Sequence, residues 1–245
     1  MARLTDRQDA YGHLVYDFLH GKESYEVNER DDGFVGGARV GEQYFAEYKD
    51  WPAHQRKGIR FARGKALDVG CGAGRVALHL QNKGLDVLGI DVSPLAVRTC
   101  KERGLKNARV MSVTGASRRL GTFDTIVMYG NNFGLFGSFK RARWLLGRFR
   151  AMTSDAARII AESNDPYATD EPAHLGYHKR NRARGRMGGQ IRLRVRYRDY
   201  ATPWFDYLLV SRDEMREILA GTGWRVSRFI DSDGSPYVAV IEKGD

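Results

Sequence analysis

Apolar and polar positions alternate along this chain in two different rhythms, and the change of rhythm divides it. Residues 5–20, "TDRQDAYGHLVYDFLH", place Leu14, Val15, Phe18 and Leu19 at helical spacing. The acidic stretch "ERDDGFVGG" reads as a turn or loop, and "GEQYFAEYKDWP" as a second short helix ending near Pro52. From Lys65 onward short apolar runs alternate with amphipathic segments, the pattern of a parallel sheet with crossover helices. "KALDVG", "DVLGI", "ARVMSV", "FDTIVMY" and "ARIIAES" are the strands. "RVALHLQNKG", "SPLAVRTCKERG" and "KRARWLLGRFRAM" are the helices, the second marked by Ser93 as N-cap, Pro94 in its first turn and Gly104 as its stop.

Residues 163–210 break the alternation. Polar loop sequence leads into "QIRLRVRY" and "FDYLLV", a hairpin around "RDYATPW". Ser211 and Glu214 then form a capping box that opens a helix, and "WRVSRFI" and "PYVAVIEK" are two further strands. The predicted architecture is a doubly wound, Rossmann-like α/β sheet of seven strands. It carries an N-terminal helical cap over residues 1–60, a main domain over 61–245 and the 163–210 hairpin as a lid or dimer element.

Charge sharpens the insertion. Of the net charge of +10, nine Lys/Arg fall between Lys179 and Arg198 with no acidic residue among them, so the remaining chain is close to neutral. Arg192, Arg194, Arg196 and Arg198 occupy one face of a strand, and Ile191, Leu193, Val195 and Tyr197 the other. The apolar face requires a cover, from the sheet or a second subunit in a homodimer. Two cysteines without metal-ligand spacing predict no disulfide framework and no metal. No run reaches membrane-spanning length and no signal-peptide core is present, which predicts a cytoplasmic protein without a membrane partner.

The chemistry concentrates in "LDVGCGAGR". A buried strand runs into Gly70, Gly72 and Gly74 and then a helix, so backbone N–H groups and a helix N-terminus face a polar ligand. Asp91 ends the next strand, about 20 residues on, where a carboxylate can accept both hydroxyls of a ribose. The spacing is GxGxG, which counts against a nicotinamide cofactor.

Residues 65–162 resemble the class I S-adenosylmethionine-dependent methyltransferases, and the insertion and N-terminal segment resemble those of a bacterial subset. The resemblance implies S-adenosylmethionine as cofactor and S-adenosylhomocysteine as product. It places Asp68, Gly70, Gly72 and Gly74 around the methionine end and Asp91 at the ribose, with Cys71 and Val92 also among the cofactor-binding residues. Gly130 and Asn131 would lie beside the transferring methyl. The family often carries an acid after the third strand for the adenine amino group; here Thr114, Gly115 and Ala116 stand in that place, with Ser117 following.

Strand ends supply the acceptor-side candidates. Glu162, His178 and Tyr129 are catalytic candidates, and Asn132, Phe133, His174, Arg192 and Arg194 are substrate candidates. Each has a plainer reading: the asparagines as turn formers, Glu162 as an ion-pair partner of an insertion arginine, the histidines as loop residues. Tyr11, Tyr44 and Trp51 either cap the cofactor or pack the core, and His79 and Cys71 read as packing residues. The expected activity is methyl transfer to a small, anionic metabolite, with the arginines as its ligands. Two alternatives stay open: an RNA methyltransferase tracking phosphates with the ribbon, less favoured because "YGNNF" lacks the Asn/Asp-Pro-Pro-aromatic sequence, and a non-catalytic cofactor-binding assembly protein.

Overall fold

The computed structural model describes residues 4–39 and 41–244. In chain order the elements are α1 (Ala10–Leu19), β1 (Tyr25–Arg30), β2 (Val35–Arg39), α2 (Gly41–Phe45), α3 (Ala53–Ile59), β3 (Ala66–Val69), α4 (Arg75–Asn82), β4 (Val87–Asp91), α5 (Pro94–Glu102) and β5 (Ala108–Val110). There follow β6 (Phe123–Met128), α6 (Phe139–Ala151), β7 (Thr153–Asn164), α7 (Pro172–Ala183), β8 (Gln190–Tyr197), β9 (Tyr200–Ala201), β10 (Phe205–Leu208), α8 (Arg212–Leu219), β11 (Trp224–Asp231) and β12 (Pro236–Lys243).

Seven strands form the predicted sheet in the order β11-β12-β7-β6-β3-β4-β5. The β3–β4, β4–β5 and β6–β7 pairs are parallel; β12 pairs antiparallel with both β7 and β11. All four residues of β3 are buried, as an apolar strand covered on both faces requires. The caps read from the sequence are present. Ser93 Oγ accepts from the Ala96 N–H at 2.9 Å, and the Ser211–Glu214 capping box closes the first turn of α8.

Two expectations are corrected. The N-terminal segment is not wholly helical: β1 and β2 form an antiparallel hairpin whose turn falls within "RDDG". Alternation there is obscured because Glu26 and Arg30, both buried, stand at positions where a core strand has apolar residues. The polar sequence after residue 163 is also not all loop. Pro172 and the Glu171 side chain, which accepts from the Ala173 N–H at 3.3 Å, start the twelve-residue helix α7. Its buried residues are Tyr177, His178 and Asn181, too polar a set to register as an amphipathic stripe.

The chain divides into two compact units. The first comprises Met1–Trp51, Ala66–Gly115 and Arg192–Phe205; the second comprises Pro52–Lys65, Ala116–Ile191 and Asp206–Asp245. In the first unit β1 pairs antiparallel with β8, so the N-terminal hairpin and the arginine strand share a second sheet, of order β10-β8-β1-β2, with β9 beside β8. The apolar face of β8 is covered within the chain: Val195 and Tyr197 cluster with Ala10, Leu14 and Val15 of α1 and with Ala73 and Ala96, and Leu193 packs against them. Tyr197 Oη also donates to Asp17 at 3.0 Å. In the second unit Phe133, Phe136 and Phe149 pack successively edge-on or tilted, and Trp224 Nε1 donates to the Leu146 carbonyl at 3.0 Å. No helix among the described residues is long and apolar enough to cross a membrane.

Leu14 is fully buried in the α1–β8 cluster, whereas Leu175 on α7 is exposed. Leu14→Ala is expected to cost about 2–5 kcal/mol in urea unfolding, and Leu175→Ala less than about 0.5 kcal/mol.

Candidate functional site

In the first unit the glycine turn has the conformation its residues allow. Gly70, Gly72 and Gly74 have φ of 72°, 54° and 82°, a region that costs little only for glycine. Asp91 holds the turn: its Oδ2 accepts from the Gly72 N–H at 3.0 Å and its Oδ1 from the Ser93 N–H at 2.9 Å. One carboxylate therefore joins the turn after β3 to the turn after β4. Burial pushes the Asp91 carboxyl up to about 6, against the pull of those two N–H groups. Asp68 is 2% exposed, and burial pushes it up to about 7, opposed by a hydrogen bond from the Ala77 N–H. Its Oδ2 is buried with no hydrogen-bond partner.

Other groups gather on this turn. A Cβ on Gly72 would stand 2.3 Å from the Tyr11 hydroxyl, so the turn and the α1 tyrosine approach at the distance only glycine permits. Burial, with Asp91 next in effect, pushes the Tyr11 phenol well up. Tyr44 meets Tyr11 edge-on at 5.1 Å and donates to Glu26 Oε2 at 2.6 Å. Trp51 is buried and stacked by Arg75, and His79 lies flat on Tyr48 at 4.4 Å, so both pack within the fold. Cys71 and Cys100 are buried free thiols with sulfurs 3.8 Å apart. Val92 is 42% exposed. Thr114 Oγ1 lies 3.0 Å from Ser112 Oγ, and Gly115 ends the same short helical turn.

In the second unit Ala116 is buried, its carbonyl accepting from Arg148 Nε at 2.9 Å. The main cluster there surrounds Glu162, which is 3% exposed. Its Oε1 lies 2.9 Å from His54 Nε2 and accepts from Gln55 Nε2 at 2.8 Å. Its Oε2 accepts from the N–H groups of Gly130 at 2.7 Å and Asn131 at 3.4 Å. Burial alone would raise this carboxyl; the bonds from His54, Gln55 and Gly130 outweigh it and hold Glu162 below the usual carboxylate range. The sequence-based option of an arginine partner is replaced by this α3 pair. Tyr129 Oη donates to the Gln55 carbonyl at 2.9 Å.

Asn131 has φ of 61°, and its carbonyl accepts from Tyr207 Oη at 2.6 Å. Asn132 begins the short helical turn that follows, and Phe133 is fully buried against Phe136. His174 and His178 are on α7; His178 is buried and meets Tyr167 edge-on at 5.4 Å. His54, Gln55 and Tyr207 carried no sequence signal: the first two sit in a seven-residue helix, and the last is one aromatic among several in a short strand.

The arginine face is largely engaged inside the first unit. Arg194 makes a bidentate pair with Glu29 at 2.8 and 3.0 Å, Arg196 joins the same carboxylate at 3.2 Å, and Arg198 pairs with Asp17 at 3.2 Å. Arg194 also stacks on Trp204. Arg192 is exposed beside them. Among the described residues no group of three or more His, Cys, Asp or Glu is placed to hold a metal ion.

A family described as "Methyltransferase domain" matches residues 66–155. An S-adenosylmethionine-dependent methyltransferase from Bacteroides fragilis, solved with S-adenosyl-L-homocysteine, superposes with a TM-score of 0.84 and 26% identity, covering 100% of this chain and 98% of that one. A second such enzyme, from Clostridium acetobutylicum, shares the fold at a TM-score of 0.60 and 10% identity, over 84% of this chain and 96% of its own. The 2-heptyl-1-hydroxyquinolin-4(1H)-one methyltransferase of Mycobacteroides abscessus is 28% identical over 123 residues, 44% of this chain. The matched part spans about half the length of that relative, 54%. Residues 66–155 thus match a methyltransferase-domain family, and the strand order, with the glycine turn pinned by Asp91, is the fold of the class I S-adenosylmethionine-dependent methyltransferases.

Proposed function

We propose that this protein transfers the methyl group of S-adenosylmethionine to a small molecule and releases S-adenosylhomocysteine. The observation that carries the reading is Asp68 Oδ2, a carboxylate oxygen buried without a donor at the head of a positive-φ glycine turn. A buried carboxylate in that state costs free energy until a donor arrives, and the methionine ammonium of the cofactor is such a donor. The residues fit the rest of the molecule too. The turn from Gly70 to Gly74 offers backbone N–H groups, and the Asp91 oxygens, each accepting one N–H, retain lone pairs for a ribose diol. Val92 offers exposed apolar surface, and Thr114 and Gly115 offer polar groups, for the adenine.

When bound, the sulfonium supplies an already electrophilic methyl group, so the chain's task is to place a nucleophile and exclude water. Glu162 is poorly suited to take a proton, since its oxygens receive donors from His54, Gln55, Gly130 and Asn131. Its work in this reading is to hold the turn after β6. The small-molecule acceptor is favoured over RNA because Arg194, Arg196 and Arg198 are paired with Glu29 and Asp17, whereas phosphate tracking needs cations free to displace counterions. The same pairing removes the reason for an anionic acceptor. The Mycobacteroides abscessus relative, whose acceptor is a small quinolone, supports the same class.

The direct test offers methyl-labelled cofactor to a small-molecule extract and to total RNA in parallel. Label is expected in the small molecules; label confined to RNA would reverse the choice. Asp91→Ala is expected to abolish calorimetric binding of S-adenosylhomocysteine, because it removes the ribose ligand and releases Gly72; binding at undiminished affinity would take Asp91 out of the site.

The buried carboxyls also set a pH dependence. Asp68 and Asp91 have folded values of about 7 and about 6, above the ordinary 3.8. Their protonated forms contribute stability to the ligand-free fold, complete below the unfolded value and lost as pH rises through about 6 and about 7. A cofactor ammonium favours ionised Asp68, so binding releases a proton. Affinity for S-adenosylhomocysteine should weaken by up to roughly tenfold per unit as pH falls below that window. Asp68→Asn should flatten the profile.

A further inference from the structure

Cys71 and Cys100 are the chain's two cysteines, and the first unit brings them together at the glycine turn. Cys71 lies inside the turn, between the positive-φ residues Gly70 and Gly72, and Cys100 is on α5. Their sulfurs are 3.8 Å apart, and Cys100 Sγ donates to the Gly72 carbonyl at 3.0 Å. Gly72 is therefore held at both ends, its N–H by the Asp91 carboxylate and its carbonyl by a thiol.

Glycines make room for both sulfurs. A Cβ on Gly89 would stand 2.9 Å from Cys71 Sγ, and one on Gly74 would stand 3.1 Å from Cys100 Sγ. Cys71 is 7% exposed and Cys100 fully buried, so an oxidant reaches Cys71 first. The hydrogen bond with Cys100, and then burial, push the Cys71 thiol well up, which keeps the pair quiet toward traces of oxidant.

Resting on the methyltransferase reading, we propose that Cys71 and Cys100 form a reversible disulfide that closes the glycine turn to S-adenosylmethionine. The oxidant is a hydroperoxide. Cys71 sulfur takes one peroxide oxygen and becomes a sulfenic acid, and the other oxygen leaves as an alcohol or, from hydrogen peroxide, as water. Cys100 sulfur then bonds to Cys71 sulfur, and the sulfenic hydroxyl leaves with the Cys100 proton as water. Two thiols together give up two electrons, and one O–O bond is reduced. A disulfide brings its sulfurs to about 2 Å, so the turn and α5 must be drawn toward each other. The same step consumes the S–H that holds the Gly72 carbonyl. The turn thus loses one of its two ties at Gly72 as it is pulled, and the N–H groups offered to the cofactor move with it.

The experiment uses the full chain, reduced with dithiothreitol, desalted and then exposed to hydrogen peroxide. Peptide mass spectrometry is expected to find Cys71 linked to Cys100. Calorimetric affinity for S-adenosylhomocysteine should fall at least about tenfold, the worth of one displaced hydrogen bond. Dithiothreitol should restore it, which separates the disulfide from methionine sulfoxide, a product whose reversal needs a dedicated reductase. Cys100→Ser, which keeps a donor for Gly72, should show the same affinity before and after peroxide, whatever its starting value. By reciprocity, saturating S-adenosylhomocysteine should make the pair harder to oxidise in a glutathione redox buffer by the same factor. Absence of the linked peptide, or a linked peptide with affinity unchanged, would overturn the switch and leave the transferase reading standing. An equal loss of affinity in Cys100→Ser would overturn it too. If the reduced protein fails to bind S-adenosylhomocysteine, the transferase reading falls first, and the switch, with nothing to close, falls with it.

Discussion

A carboxylate buried in a protein keeps its charge only if donors replace the water it has lost, and three such groups stand at strand ends in this fold. Glu162 is fully supplied: two α3 side chains serve one oxygen and two backbone N–H groups the other. Removing a partner from such a group leaves an uncompensated buried charge, which typically costs about 3–5 kcal/mol. That requirement ties α3, β7 and the turn after β6 into one arrangement. Asp91 is supplied in part, by two N–H groups that also fix the glycine turn. Asp68 is left with one oxygen unserved. The degree of satisfaction therefore falls from Glu162 through Asp91 to Asp68.

The same measure applies to the amides and arginines. Asn181 donates to the Gly188 and Gln190 carbonyls and braces the entry to β8, whereas Asn131 and Asn164 keep idle oxygens. Arg194 has its planar fork filled by Glu29. A cation matched in this way carries little field to a distant polyanion, and it fixes the register of β1 against β8 instead. The alternating arginines of β8 are thus engaged largely in pairing within the chain.

How far these features were legible varied with how local their causes are. The glycine turn, Asp68 and Asp91 are written in consecutive residues and alternation, so the α/β sheet and the turn after β3 could be read directly. The capping residues Ser93 and Ser211 were equally local. The β1–β2 hairpin was not, because buried Glu26 and Arg30 break the apolar alternation, Glu26 accepting from Tyr44, 18 residues away, and Arg30 pairing with its neighbour Asp32. The His54–Glu162 contact joins residues 108 apart, and nothing near His54 announces it. The four alternating arginines were visible as a pattern, but their meaning depended on Glu29, 165 residues before Arg194.

That last separation bears on how the molecule is made. β1 has its hairpin partner β2 from the start, yet its other edge stays open until β8 has left the ribosome. Closing so long a loop adds little to the thermodynamic cost, which grows only with the logarithm of length, but it delays the step. Through most of synthesis α1 has no β8 face to cover Leu14 and Val15, and one strand edge is unpaired. The second sheet of the first unit is therefore completed only by a contact between residues far apart along the chain.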